Sequence, residues 1–315
     1  MIELPADFLR GSYPPLVTPL RDGEVDHDVY ASLVEMQIRE GSHGIVVNGT
    51  TGEPTTLAAS ERTRLVATAV KAAAGRIPVV AATGSQSLAE TLELTAAAEK
   101  AGAQAVLVMT PYFVKPPPRG LAEYYLEVGR RTRLPVLIYH IPGRAAVEVK
   151  PETVAQIADR LPNLVGLKHA ANDLGFVTAV LRRLGPAFRI FAGLEELSFP
   201  MLAIGASGLM NAVGNIAPRR VAELYRAAAR GDAAMARRLH EDLFELNQSV
   251  FFDTNPIPIK YMMKRIGLLP NEEHRLPMMP ATPELAERLD GVLRRAGLLP
   301  AGAADHAPDP ASFSQ

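Results

Sequence analysis

The chain has 315 residues, 48% of them hydrophobic, with 33 basic against 34 acidic side chains and a formal net charge of -1. That is enough apolar material for one large core, and a near balance of scattered charge excludes an electrostatic footprint for nucleic acid or an anionic membrane surface. With no cysteine, disulfides, a thiolate nucleophile and cysteine-ligated zinc or iron–sulfur centres are excluded as well.

The first eleven residues include Glu3, Asp7 and Arg10 and no apolar signal core, and no later stretch reaches the roughly 20 apolar residues of a membrane span. The expectation is a cytoplasmic protein that acts on a small molecule. Beyond residue 11, short apolar β-prone runs alternate with segments of helical spacing at a period of about 30 residues, the size of a βα unit. The runs are 14–18, 44–48, 78–83, 105–110, 135–139, 164–168, 189–192 and 208–213; helical stretches between them include 60–74, 87–101 and 151–160. Eight such units predict an α/β fold closed into a (β/α)8 TIM barrel, because closure leaves no strand edge exposed. No Gly-x-Gly-x-x-Gly opens the first unit, and the glycine turns at 49–52 and 81–85 do not continue as phosphate loops, so no nucleotide cofactor is expected. After residue 217 the pattern becomes wholly helical, through 220–251, 256–266 and 282–296. The predicted organisation is a barrel over 1–217, the last barrel helix with a C-terminal helical appendage over 218–300, and a disordered tail over 301–315, where Ala, Pro, Asp and Ser mix without periodicity.

In such barrels chemistry sits at the C-terminal ends of the strands. The sixth run, Asn163-Leu164-Val165-Gly166-Leu167-Lys168, ends in an amine where its pattern calls for another apolar residue. Burying a lysine disfavours its charged form and frees the neutral amine to attack a carbonyl carbon. The second run ends in Asn48-Gly49-Thr50-Thr51-Gly52-Glu53, a turn whose backbone amides and two hydroxyls suit a carboxylate. The fifth ends in Tyr139, a phenol able to relay protons. Amine, carboxylate cradle and phenol together fit imine chemistry on a 2-oxo acid, in which a carbinolamine loses water to give an iminium that serves as the electron sink. That chemistry needs no metal and no cofactor.

Several motifs carry a resemblance. They are Pro15-Leu16-Val17-Thr18-Pro19, Gly49-Thr50-Thr51-Gly52-Glu53, Thr110-Pro111-Tyr112-Phe113, Tyr139-His140-Ile141-Pro142-Gly143-Arg144, Gly166-Leu167-Lys168, Asn255-Pro256-Ile257-Pro258-Ile259-Lys260 and Arg275-Leu276-Pro277-Met278. From about residue 11 to 300 the chain resembles the family of dihydrodipicolinate synthase and N-acetylneuraminate lyase, pyruvate-dependent class I aldolases, and the last two motifs resemble the synthase branch. The resemblance implies that Lys168 is the Schiff-base lysine, Tyr139 the relay phenol and Thr50 its partner. It also implies that Gly49 and Thr51 hold the pyruvate carboxylate, with Met210 beside the reacting carbon. Arg144 falls where the synthases bind the carboxylate of a second substrate, aspartate semialdehyde. The nearest activity implied is 4-hydroxy-tetrahydrodipicolinate synthase, and the assembly implied is a homotetramer built as a dimer of dimers, with Tyr112 and Phe113 facing a neighbour's site.

The departures are equally specific. Phe113 stands where the synthases have a second relay tyrosine, one that crosses the subunit interface. His140 and His169 replace the usual Asn and Glu, Gly193-Leu194-Glu195 replaces Gly-Asp-Asp, and Leu209-Met210-Asn211 replaces an Ile-Ser pair. Tyr112, Phe113, His140, His169, Gly193 and Asn211 are therefore candidate specificity residues. Two alternatives follow from them: a catabolic 2-oxo acid aldolase or dehydratase with a different aldehyde or sugar acid, and a catalytically weak 2-oxo acid-binding protein.

Overall fold

Runs of Val, Ile, Leu and Ala that are apolar on both faces suit parallel strands covered by helices outside and by one another within. In the computed structural model, which describes residues 1–299, eight of them form one parallel sheet: β1 Gly11–Ser12, β2 Ile45–Val47, β3 Val79–Ala82, β4 Ala105–Met109, β5 Val136–His140, β6 Leu164–His169, β7 Arg189–Ala192 and β8 Gly208–Leu209. Each strand pairs in sequence order from β2 to β8, and β8 pairs with β1. The segment after β1 closes the ring: Pro15 bridges Val46, the Val46 N–H donates to the Pro14 carbonyl at 3.0 Å, and the Leu16 N–H donates to the Val46 carbonyl at 3.0 Å. The expected first strand at 14–18 is thus displaced to Gly11–Ser12 with a single bridge beyond it, because Pro14 and Pro15 have no N–H to offer a ladder. The eighth strand stops at Leu209, short of the expected 213, since Ala212–Asn215 turns into a 3-10 helix.

Around the sheet lie α1 His27–Arg39, α2 Ala59–Ala73, α3 Leu88–Lys100, α4 Pro118–Arg130, α5 Pro151–Arg160, α6 Leu174–Leu184, α7 Ser198–Ala203 and α8 Pro218–Ala229. Asp26, Ser87 and Asp173 cap α1, α3 and α6, each accepting the N–H three residues on, which satisfies one of the donors a helix start leaves open. Between sheet and helices, Ile45, Val47, Val79, Ala81, Val106, Val108, Val136, Ile138, Leu164 and Leu167 form the outer core. Tyr13, Val46, Val80, Leu107, Leu137, Tyr139, Val165 and Phe191 fill the barrel itself.

One irregularity in this alternation decides where the chemistry falls. Leu164 and Leu167 both face the helices while Val165 faces inward, so the two-residue period slips by one within β6. Register shows the same slip, with Val136 opposite Leu164 but Leu137 opposite Gly166. A bulge of this kind exchanges the faces of every later side chain. Without it Lys168 would join Leu164 on the helix side; with it Lys168 enters the barrel and His169 leaves it. Glycine is required at 166 because a Cβ there would overlap the Arg189 carbonyl oxygen.

The stretch expected to be wholly helical over 220–251 is three helices: α8, then α9 Ala233–Asp242 and α10 Phe244–Ser249. Gly231, at φ +79°, ends the first turn sequence and Asp232 caps α9 through the Met235 N–H at 3.0 Å, so a left-handed residue followed by an N-cap breaks the run. Two more helices, α11 Ile257–Arg265 and α12 Pro283–Arg295, follow. The tail expected at 301–315 lies outside the described residues.

Candidate active site

Lys168 and Tyr139 sit opposite each other in register on β6 and β5, both 4% exposed. The amine Nζ lies 4.4 Å from the centroid of the Tyr139 ring, and the Tyr139 hydroxyl lies 3.3 Å from Thr50 Oγ1. The amine thus sits against the face of the phenol ring, and the phenol hydroxyl reaches the threonine hydroxyl. Gly193, at the exit of β7, leaves room for the amine: a Cβ there would lie 2.9 Å from Lys168 Cε and 2.8 Å from Ala170 Cβ.

Thr50 belongs to a single 3-10 turn, Thr50–Gly52, set between two left-handed residues, Asn48 at φ +58° and Glu53 at φ +53°. Such backbone is costly for residues other than glycine and persists only where surroundings enforce it. Asn48 Nδ2 donates to the Arg62 carbonyl at 2.9 Å, and the Gly52 carbonyl accepts from Thr18 Oγ1 at 2.7 Å. The Glu53 carboxylate is buried between Lys260 Nζ at 3.0 Å and His274 Nδ1 at 2.9 Å, and Lys260 also donates to the Glu273 carbonyl. Burial alone would raise this carboxyl, but the His274 hydrogen bond and the Lys260 charge outweigh it and hold it below the usual carboxylate range. Lys260, fully buried on α11, is itself lowered by that burial against the pull of Glu53.

Thr51 is held from the same C-terminal region, with Asn255 Nδ2 donating to its Oγ1 at 3.0 Å. Because the threonine oxygen accepts there, its own proton is left to donate elsewhere. Thr50, Glu53, Tyr112, Arg144, Asn255 and Met278 are among the residues that line a cleft of about 200 Å³ above this turn. Arg144 stands on the one-turn helix Pro142–Ala145 that follows β5, with Nη2 3.5 Å from the Asn255 carbonyl.

Not every expected residue converges. Asn211 is enclosed beyond β8, where its Nδ2 donates to Ser198 Oγ at 3.3 Å, whereas Met210 faces the barrel interior in one cluster with Tyr139 and Phe191. Phe113, in left-handed backbone at φ +73°, is 89% exposed beside Val114 at 56%. His140 and His169 point out of the barrel, bonded to one another through their Nδ1 atoms at 3.1 Å.

Five residues escaped sequence reasoning as site residues. Asn255 and the Glu53–Lys260–His274 cluster join positions more than 200 residues apart, and no local pattern encodes that. Glu195, after β7, is fully buried: Oε1 accepts from the Ala212 N–H at 2.6 Å while Oε2 has no partner among the described residues. Burial pushes its carboxyl up to about 7, against the pull of the Ala212 N–H and the nearby Lys168 charge. Its sequence signal was an acid at a strand exit, in the segment Gly193-Leu194-Glu195 that replaces Gly-Asp-Asp.

A sequence model of the dihydrodipicolinate synthetase family matches residues 8–296. The chain belongs to this family. Among curated relatives, the 4-hydroxy-tetrahydrodipicolinate synthase of Thermus thermophilus is 47% identical over 294 residues, covering 93% of this chain and 98% of that one. The crystal structure of dihydrodipicolinate synthase from Aquifex aeolicus superposes with a TM-score of 0.90 at 38% identity, over 92% of this chain and 98% of that chain. A chloride-inhibited dihydrodipicolinate synthase from Acinetobacter baumannii, complexed with pyruvate, gives a TM-score of 0.90 at 35% identity, over 92% of this chain and all of that one. The family, the barrel and a lysine Schiff-base lyase reading of the chain agree with what its motifs led one to expect.

Proposed function

We propose that this Schiff-base lyase joins pyruvate to aspartate semialdehyde, as a 4-hydroxy-tetrahydrodipicolinate synthase, through an imine on Lys168. The observation that supports this most directly is the Lys168 amine held inside the barrel over Tyr139, whose hydroxyl reaches Thr50. In this reading the neutral amine adds to C2 of pyruvate, and the carbinolamine loses water as Tyr139 and Thr50 pass the protons. The cationic iminium then draws electrons from C3, which loses a proton to give an enamine. That carbon attacks the aldehyde, and the amino group of the second substrate then adds to C2 and displaces the lysine, closing the ring and freeing the amine. The turn that begins at Gly49 holds the pyruvate carboxylate, with the free Thr51 proton as one donor. Arg144, across the cleft, offers a planar fork to the carboxylate of the second substrate.

Borohydride quenching with pyruvate should add one reduced three-carbon unit at Lys168, and Lys168→Ala should lose both the adduct and turnover. Adduct formation without consumption of aspartate semialdehyde would assign the aldehyde elsewhere. The same proposal takes the protein to be a cytoplasmic homotetramer, in which the exposed Phe113 and Val114 meet a neighbour's site. A monomer mass by sedimentation would remove that part. Phe113→Tyr, which restores a hydroxyl to this loop, should raise synthase turnover; no change would mean that Tyr112 or solvent already supplies the proton.

A further inference from the structure

On the reverse side of the strands that carry Lys168 and Tyr139, the next residue of each strand is a histidine. His140 and His169 stand opposite each other in the same cross-strand register, both buried under α6, with Phe176 stacked on them at centroid distances of 4.9 and 4.6 Å. With both rings neutral, hydrogen-bond chemistry leaves one proton arrangement for the pair. His169 Nε2 lies 3.0 Å from the Asp173 carbonyl oxygen, which can only accept, so Nε2 carries the proton and Nδ1 of that neutral ring is bare. The 3.1 Å contact between the two Nδ1 atoms then requires His140 to donate from Nδ1. Its Nε2, buried without a partner among the described residues, is left as a lone pair instead of a stranded N–H.

We propose that His140 and His169 are positioning residues of the imine site: one Nδ1–H···Nδ1 hydrogen bond ties the ends of β5 and β6 together in the register that sets Tyr139 against Lys168. The backbone ladder runs to the strand exits, where the Ala170 N–H donates to the His140 carbonyl at 2.9 Å, but the bulge at Val165–Gly166 has already slipped the register once upstream of the catalytic pair. A side-chain bond one residue beyond the catalytic pair pins the phase after the slip. The same arrangement disfavours a charge on either ring. A proton added to His169 Nδ1 would face the His140 N–H, and one added to His140 Nε2 would meet no acceptor. Burial lowers both rings, His140 to about 4, and the charged group facing them is Asp173, whose carboxylate is engaged at 3.0 Å by the Phe176 N–H. The inference rests on Lys168 being the imine-forming amine, and the tests below keep the two readings apart.

Selective ¹⁵N labelling of the seven histidines reads the arrangement in the unaltered protein. The expected spectrum holds one Nδ1–H ring and one Nε2–H ring linked by a through-hydrogen-bond coupling between their Nδ1 nuclei; no such coupled pair overturns the proposal whatever the variants do. In His140→Leu the donor is removed, and in His140→Asn the side-chain N–H₂ restores a donor near the same place. His140→Leu should lower kcat and the rate of pyruvate trapping roughly ten- to a hundred-fold, as expected for misplaced reacting groups, with the KM for pyruvate little moved, and His140→Asn should recover most of the loss. A folded His140→Leu that traps pyruvate at the unaltered rate, or an Asn variant as slow as the Leu variant, overturns the positioning role. Failure of the Schiff-base reading would instead appear as no trapping in the unaltered protein, with the histidine coupling still present.

Discussion

Replacing Lys260 by methionine separates charge from packing in the support of the Thr50–Thr51 turn. Lys260 is fully buried, its Nζ lies 3.0 Å from Glu53 Oε1, and the carboxylate is itself 4% exposed. At an effective dielectric of about 20, two charges at that distance attract by roughly 5 kcal/mol, and breaking a buried pair by removing one partner typically costs about 3–5 kcal/mol. The His274 bond to Glu53 Oε2 at 2.9 Å remains, so the lower end, about 3 kcal/mol, is expected for Lys260→Met. The double variant Glu53→Gln, Lys260→Met removes both charges and should regain most of that loss, since the cost comes from a stranded carboxylate. Urea unfolding followed by far-UV circular dichroism at pH 7.5 measures all four corners of the cycle. The pH dependence has a definite sign. Glu53 is lowered in the folded protein from 4.5, so its contribution is present above pH 4.5 and fades as pH falls below it; the gap between unaltered protein and Lys260→Met should narrow on acidification. A single variant within 1 kcal/mol of the unaltered protein at pH 7.5, or a double variant no more stable than the single, would refute the charge argument.

Three further outcomes are expected. Gly193→Ala should slow pyruvate trapping by roughly ten-fold or more, because the new Cβ would lie 2.9 Å from Lys168 Cε and displace the amine; an unchanged trapping rate with intact circular dichroism would show that the lysine yields freely. Glu195 is raised from 4.5 to about 7 by burial, so the folded state holds its proton more tightly and the stability this confers, fully present below pH 4.5, is lost as pH rises through about 7. The loss amounts to roughly 3 kcal/mol from a shift of this size, and Glu195→Gln should abolish that slope in denaturant midpoints between pH 4.5 and 8; a parallel slope would refute the assignment. Arg144→Ala should raise the KM for aspartate semialdehyde by roughly ten- to a hundred-fold, the loss of a charge-assisted bond to a carboxylate, while pyruvate trapping is unchanged; equal losses in both would place Arg144 outside the second-substrate pocket.

Sequence by itself determined the architecture and the chemical identity of the site. Apolar runs spaced one βα unit apart, without a nucleotide loop, lead to a (β/α)8 barrel because parallel strands apolar on both faces have few other ways to be covered. Lys168, Tyr139 and the Gly49–Thr51 turn stood out because an amine, a phenol and a hydroxyl-rich turn each interrupted or ended an apolar run. Strand bounds were least legible where prolines or turns replaced ladder bonds, as at 14–18 and 210–213. Tertiary structure alone decided which way the key residues face. The alternation read from Leu164 would send Lys168 toward the helices, and only the slip at Val165–Gly166, fixed by pairing with β5, turns it inward and sends His169 out to meet His140. Thr51, likewise, owes its free proton to Asn255, 204 residues away. Periodicity is a local property of the chain, whereas the facing of a side chain after a bulge and the donor that engages a hydroxyl are set by neighbouring elements.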